Sequence, residues 1–313
     1  MGRLEDLRIN AYLSQVARGY TNSAFISENL FPVIDSELEK VDIFQFNKEA
    51  FSVYNTERAI RANSNVVSPK GFSKMTTTLT EHDLAYPIDY REEEESRKVK
   101  LQLHATNVVT EGLKLKHEKL CADLVQNPDN YLSGSKITLS GNSKFSNYGD
   151  IDAKIPSSDP VGVIEDGKDA IASKIAQNPN TMVLGYESWR ILKRHPQIQG
   201  LISNNLNKIV TIDFLKEIFE IPNIFVGKAV FTDENGNFVK VWSDNIILSY
   251  TSNLASRTEY DPAFAYTVRK KNSLMVDEYT KEGNKLKYIR ATDIYSPFMV
   301  GPDAGYLISD TNA

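Results

Sequence analysis

Between Asp89 and Gln126 apolar residues return at helical spacing, with Leu101, Ala105, Val108, Gly112, Leu113, Leu120 and Leu124 on one side and Lys, Glu, Gln and Thr opposite. The pattern predicts one unusually long helix, about 54 Å at 1.5 Å per residue, as the spine of the fold. Pro87 breaks what precedes it, and Asp89 and Glu92 have capping-box spacing. Glu92, Glu93, Glu94 and Glu95 crowd the first turns while Lys114, Lys116 and Lys119 lie towards the end, as the helix dipole favours. The four glutamates read as a solvated helix end, because consecutive helical residues point in different directions and cannot share a metal. Asn127-Pro128-Asp129-Asn130 ends the pattern.

The flanking patterns differ in kind. Leu4, Leu7, Ile9, Leu13 and Val16 predict a short amphipathic helix from Leu4, ended by Gly19. Residues Tyr20 to Val33 carry large apolar side chains without periodicity, as suits an arm lying in a groove of another surface. Val41 to Asn47 alternates as a strand, Lys74 to Tyr90 as a second, and Ser68-Pro69-Lys70-Gly71 marks a turn region between them. Two long arms with little core of their own describe an extended hairpin, and a lone ribbon needs support from a neighbour.

After the spine, a loop rich in Ser, Gly, Asn and Asp runs to Pro156, with a short strand expected at Lys136 to Leu139. An α/β region follows. Asp159-Pro160 opens a helix through Ala176, Thr181 to Gly185 is a buried strand, and helices are expected from Tyr186 to about Arg194 and from Ile212 to Glu220. Ile224 to Phe231 and Phe238 to Trp242 read as strands around an Asn235-Gly236 hairpin turn, and Ile246 to Tyr250 as another strand. Strands at Phe264 to Lys270, Leu274 to Tyr279 and Leu286 to Ile294, a turn at Glu282-Gly283-Asn284, and Tyr306-Leu307-Ile308 complete an α+β fold. No fixed period recurs, which disfavours solenoids and propellers.

The 313 residues suffice for a sizeable core or for two domains sharing an interface. A net charge of -5 carries no basic field that would advertise nucleic acid as a surface-bound ligand. One cysteine, Cys121, excludes an intrachain disulfide and a cysteine-rich metal site, and its leucine neighbours make it a core residue. No run is long enough to span a membrane, and Met1 to Asp6 lacks the apolar core of a signal peptide, so a cytosolic origin is expected.

Catalytic signatures are missing: no phosphate-cradling glycine pattern, no Gly-x-Ser-x-Gly elbow and no His-Glu-x-x-His. His104 and His117 are about 20 Å apart along one rod, and His82 and His195 lie elsewhere, so all four read as surface or capping histidines. Trp189 and Trp242 read as core aromatics, and Lys70 as a solvated lysine or one paired with a neighbour's acid. No catalytic, cofactor-binding or metal-binding residue is assigned, no cofactor is expected, and the chain is read as a non-enzyme.

The order of parts carries a resemblance, and so do Ala24-Phe25-Ile26 with Leu30-Phe31-Pro32-Val33, Tyr54-Asn55-Thr56-Glu57-Arg58-Ala59 with Ala62-Asn63-Ser64, Tyr86-Pro87-Ile88-Asp89, and Pro179 to Gly185 with Trp189 and His195-Pro196. Together they resemble the major capsid proteins of tailed phages, the fold named for phage Hong Kong 97. The resemblance implies an N-terminal arm at 1–40, an extended loop at 41–88, a peripheral domain with the spine helix at 89–155, an axial domain at 156–258 and return strands of the peripheral domain at 259–313.

It also implies a shell subunit that self-assembles into hexamers and pentamers in the host cytoplasm. The virion capsid so formed encloses double-stranded DNA without sequence-specific contacts, with scaffolding, portal and decoration proteins as further partners and no membrane. A scaffolding segment often precedes the arm in the family; here the arm begins almost at Met1, so that segment has been removed or a separate protein supplies it. Some relatives crosslink a loop lysine to a neighbour's asparagine. Lys70 and Asn272 are the nearest counterparts, and the expectation is that no crosslink forms, so that shells run near 35 kDa on denaturing gels. The alternatives are the shell of a cellular encapsulin-type nanocompartment, which would enclose cargo instead of DNA, and a soluble α/β enzyme built on Asp159 to Tyr250.

Overall fold

The computed structural model describes residues 9–44, 56–58, 60–61, 63–66, 74–95, 98–149, 157–201, 209–252, 263–281 and 285–312. The spine occupies two helical stretches, α3 (Tyr90–Glu95) and α4 (Lys98–Gln126), with residues 96 and 97 outside the described set. Its start follows the expected logic: the Glu92 carboxylate accepts from the Asp89 N–H at 3.1 Å, and Asp89 accepts from the Arg91 N–H at 3.0 Å. The buried stripe on α4 runs through Ala105, Val109, Leu113, His117, Cys121 and Val125, so Val108 is exposed and Leu120 and Leu124 fall on its flank.

Two sheets pack against this rod. The first takes β1 (Val33–Ser36), β11 (Ala265–Lys270), β13 (Leu286–Met299) and β12 (Met275–Thr280) in that order, with β4 (Thr80–Asp89) also on β13, antiparallel from Leu286 opposite Asp89 to Tyr295 opposite Thr80. Pro87, which has no N–H, sits on β4, which pairs with β13 alone among the described strands. The second sheet orders β5 (Lys136–Thr138), β14 (Gly305–Ser309), β10 (Ile246–Ser249), β6 (Thr181–Gly185) and β7 (Asn223–Gly227). Helices α5 (Pro160–Ile175), α6 (Tyr186–Leu192), α7 (Pro196–Gly200) and α8 (Ile212–Phe219) accompany it. The large core joins the second half of α4 to this sheet, through Cys121, Val125, Ile164, Met182, Leu215, Trp242 and Leu307. A smaller core packs Leu13 and Ala17 against Ala105, Val109 and Leu113 of α4 and against Ile88 and Ile289 of the first sheet. The other face of that sheet buries Tyr266, Val268, Ile294 and Phe298, so it is covered on both sides.

Several expectations need correction. The first helix, α1 (Ala11–Gly19), does not begin at Leu4, because Asn10 accepts from the Leu13 N–H as its cap and Ile9 bridges to Asp277; residues 1–8 lie outside the described set. The arm finds its groove on its own chain: α2 (Ser27–Leu30) lies on α4, β1 runs parallel to β11, and Ile26, Leu30 and Phe31 are buried in the large core. Each of those side chains contributes about 2 kcal/mol by leaving water. Ile224 to Phe231 is two strands, because the chain leaves the sheet after Gly227 and resumes as β8 (Val230–Thr232).

Two ribbons stand outside the sheets. β2 (Lys40–Phe44) pairs with β3 (Lys74–Thr78) as the base of the expected hairpin, while the turn at Ser68 to Gly71 lies outside the described residues, as does that at Glu282 to Asn284. β8 pairs with β9 (Phe238–Lys240) across the expected turn, where the Asp233 carboxylate accepts from the N–H groups of Asn235 and Asn237, and Gly236 takes a positive φ of 84°.

Candidate assembly surfaces

One buried carboxylate joins the arm to the spine and to the large core. Glu118 lies on the buried face of α4, where its Oε1 and Oε2 accept from the Ile26 N–H at 3.0 and 3.1 Å and Oε2 accepts from the Ser27 N–H at 2.9 Å. The Trp242 indole N–H donates to Oε1 at 2.6 Å from the second sheet's side. Ile26 and Ser27 open α2, so the carboxylate satisfies donors that a helix start leaves unpaired, and bonds to a charged acceptor are the strong kind. One side chain therefore ties arm, spine and large core. The clue in the sequence is an acid set among Leu115, Cys121, Ala122 and Val125 at helical spacing, which the periodicity argument passed over.

His117, the preceding residue, is neither a surface nor a capping residue. Its Nδ1 lies 3.2 Å from the Ser27 hydroxyl and its Nε2 2.9 Å from that of Thr267, and burial pushes its pKa down to about 3. His195 is the expected cap: its Nδ1 accepts from the Gln197 N–H at 3.2 Å, and Nε2 meets the Ser158 hydroxyl at 3.1 Å. His82 stacks on Tyr295 and His104 is exposed. Cys121 is a buried thiol whose pKa burial raises, which makes it a core residue and not a nucleophile. Of the crosslink counterparts, Asn272 occupies the tight turn between β11 and β12 with a φ of 59°, and Lys70 lies outside the described residues. Among the described residues no group of three or more His, Cys, Asp or Glu side chains could hold a metal ion, and no helix is long and apolar enough to cross a membrane.

Three exposed apolar residues sit together on the β8–β9 ribbon. Phe238 is 81% exposed on β9, with Val239 and Val230 exposed beside it. The root of this ribbon is anchored: Lys240 reaches Glu187 at 2.6 Å, and the Lys119 ammonium lies 4.7 Å from the centre of the Phe231 ring. A second exposed set follows β2, where Ile60 is 94% and Val66 85% exposed, and Leu38 projects between β1 and β2. Sequence reading placed Phe238 on a strand but could not say that the strand stands off the core. Anchored ribbons with apolar outer positions are suited to burial against another molecule.

No family model matches the chain. It is 46% identical over 316 aligned positions, spanning 100% of both chains, to the major capsid protein of Burkholderia phage BcepMu. Among solved structures it matches a phage-related protein from Bordetella bronchiseptica with a TM-score of 0.80 and 28% identity, over 97% of this chain and 98% of that one. It also matches the mature capsid of bacteriophage PhiM1 with a TM-score of 0.54 over 94% and 89% of the two chains, at 13% identity, a likeness of fold alone.

Proposed function

Because the chain belongs to the family of phage major capsid proteins, we propose that it builds the phage head as hexamers and pentamers of a Hong Kong 97-like subunit. The reading assigns residues 1–40 to an N-terminal arm, 41–88 to an extended loop laid over neighbouring subunits, 89–155 with 259–313 to a peripheral domain, and 156–258 to an axial domain gathered at the capsomer centre. The second sheet draws β5 and β14 from outside 156–258, so in this reading the peripheral and axial domains share a core. The role is structural. Double-stranded DNA is the enclosed cargo, held by confinement, in keeping with the acidic balance of the chain. Assembly takes place in the host cytoplasm, with a scaffold, a portal and decoration proteins as partners.

The observation that carries the reading is the anchored ribbon β8–β9, whose Phe238 is largely exposed among the described residues. Electron microscopy of the protein expressed alone, and with its scaffold, tests it. Closed shells, rings or tubes are expected, and nuclease-protected DNA inside them separates a phage head from an encapsulin-type compartment. Phe238→Asp is expected to abolish assembly while changing subunit stability by less than about 0.5 kcal/mol, as exposed substitutions do. Full assembly by that variant removes the ribbon from the interface.

A further inference from the structure

Where the arm crosses α4 there is a cavity of about 270 Å³, larger than a single water needs, lined by Ser27 and Glu28 of the arm, Thr110 and Lys114 of α4, and Arg269, Asp293 and Tyr295 of the first sheet. Two carboxylates face two cations around it, but its acceptors are met better than its donors. The nearby acceptors are engaged: Glu111 takes the Tyr20 hydroxyl and the Asn22 amide, and Asp293 takes the Ser273 hydroxyl at 2.5 Å. The donors are not. Thr110 Oγ1, Arg269 Nε and the Tyr295 hydroxyl are buried without a hydrogen-bond partner among the described residues. Arg269 Nε stands 3.1 Å from Asp293 Oδ2 as an ion pair, but its N–H is not aligned on that oxygen.

Tyr295 in particular is held in place. The Tyr295 ring is fixed by His82 stacked on it at 4.3 Å and by His117 edge-on at 5.0 Å, and it is 1% exposed. Burial keeps its hydroxyl protonated, so it remains a donor. Lys114 spends one of its three N–H donors on the Tyr20 carbonyl and adds positive charge. Unmade bonds from buried donors are costly, and an acceptor that meets several at once relieves them together.

We propose that this cavity binds a small oxyanion of the phosphate or sulfate class, held by Arg269, Tyr295 and Thr110 with Lys114 beside it, and that its occupancy clamps the arm to the spine. Glu28, whose Oε1 lies 3.9 Å from Arg269 Nη2 and is largely exposed, is the resident competitor for the guanidinium.

Calorimetric titration of the full chain with inorganic phosphate, paired with thermal unfolding in phosphate and in chloride at matched ionic strength, tests the proposal. Saturable phosphate binding and a higher melting temperature in phosphate are expected. Tyr295→Phe removes only an unpartnered hydroxyl, so it melts no lower in chloride yet binds phosphate about tenfold more weakly, the loss of one charge-assisted bond. Glu28→Gln tightens binding. A melting shift no larger than that in chloride, no saturable heat, or unchanged phosphate affinity in Tyr295→Phe overturns the proposal. Displacement of phosphate by a short duplex DNA assigns the oxyanion to a phosphodiester backbone; failure of the duplex to compete assigns it to the free anion.

Discussion

Replacing Glu118 by leucine leaves the N–H groups of Ile26, Ser27 and Trp242 buried without their acceptor. Each stranded donor costs about 1–3 kcal/mol. Part of that sum is offset, because a carboxylate no longer has to be held out of water, a term of several kcal/mol. The balance is a loss of about 3 kcal/mol, and it falls mainly on the arm, since two of the three donors belong to it. Urea unfolding of the unassembled subunit measures the total, and hydrogen exchange locates it. Protection of the Ile26 and Ser27 amides should fall about 100-fold, the equivalent of that free energy. Glu118→Gln keeps one acceptor oxygen but turns an amide N–H towards donors, so it should lose roughly half as much. The reasoning is refuted if Glu118→Leu unfolds within about 0.5 kcal/mol of the parent and its arm amides stay protected. Burial of Ile26, Leu30 and Phe31 would then suffice to hold the arm.

Two further outcomes follow from the buried core. His117 has a folded pKa lowered to about 3 by burial, below the usual 6.5, so the unfolded chain takes up its proton first as pH falls. Its contribution to stability is complete above about pH 6.5 and is lost between there and pH 3. At pH 5 the loss is about 2 kcal/mol relative to pH 7.5, and urea midpoints of His117→Gln should show a correspondingly flatter pH dependence. Gly227→Ala would place a Cβ 2.2 Å from the Trp242 ring, which is itself held by Glu118, so a loss of about 1–3 kcal/mol by overpacking is expected, visible as a shift in melting temperature.

Local chemistry made much of this fold readable. The Asp159-Pro160 start, the Asn235-Gly236 turn and the Pro128 stop each act through their own backbone, and α5, the β8–β9 ribbon and the end of α4 lie where those residues put them. Long-range decisions were not readable in the same way. The four residues of β1 pair with β11, whose register begins with Val33 opposite Thr267, and nothing near Val33 announces a partner so distant in the chain. The run from Ile224 to Phe231 hid a change of sheet, because Lys228 and Ala229 carry no strong turn signal. Counting apolar residues also missed the junction beneath the arm, since its key members, Glu118 and His117, are polar residues buried by what they bond.

The position of β14 in the second sheet carries a consequence for synthesis. This strand, at residues 305–309, lies between β5 and β10, and Leu307 and Ile308 are fully enclosed in the large core. A nascent chain that has reached residue 300 therefore holds β5 without a partner and β10 with a bare edge. The largest core cannot close until residues 305–309 have left the ribosome. A chain cut short before residue 305 leaves those strand edges unpaired, and unpaired edges are templates for pairing with another chain.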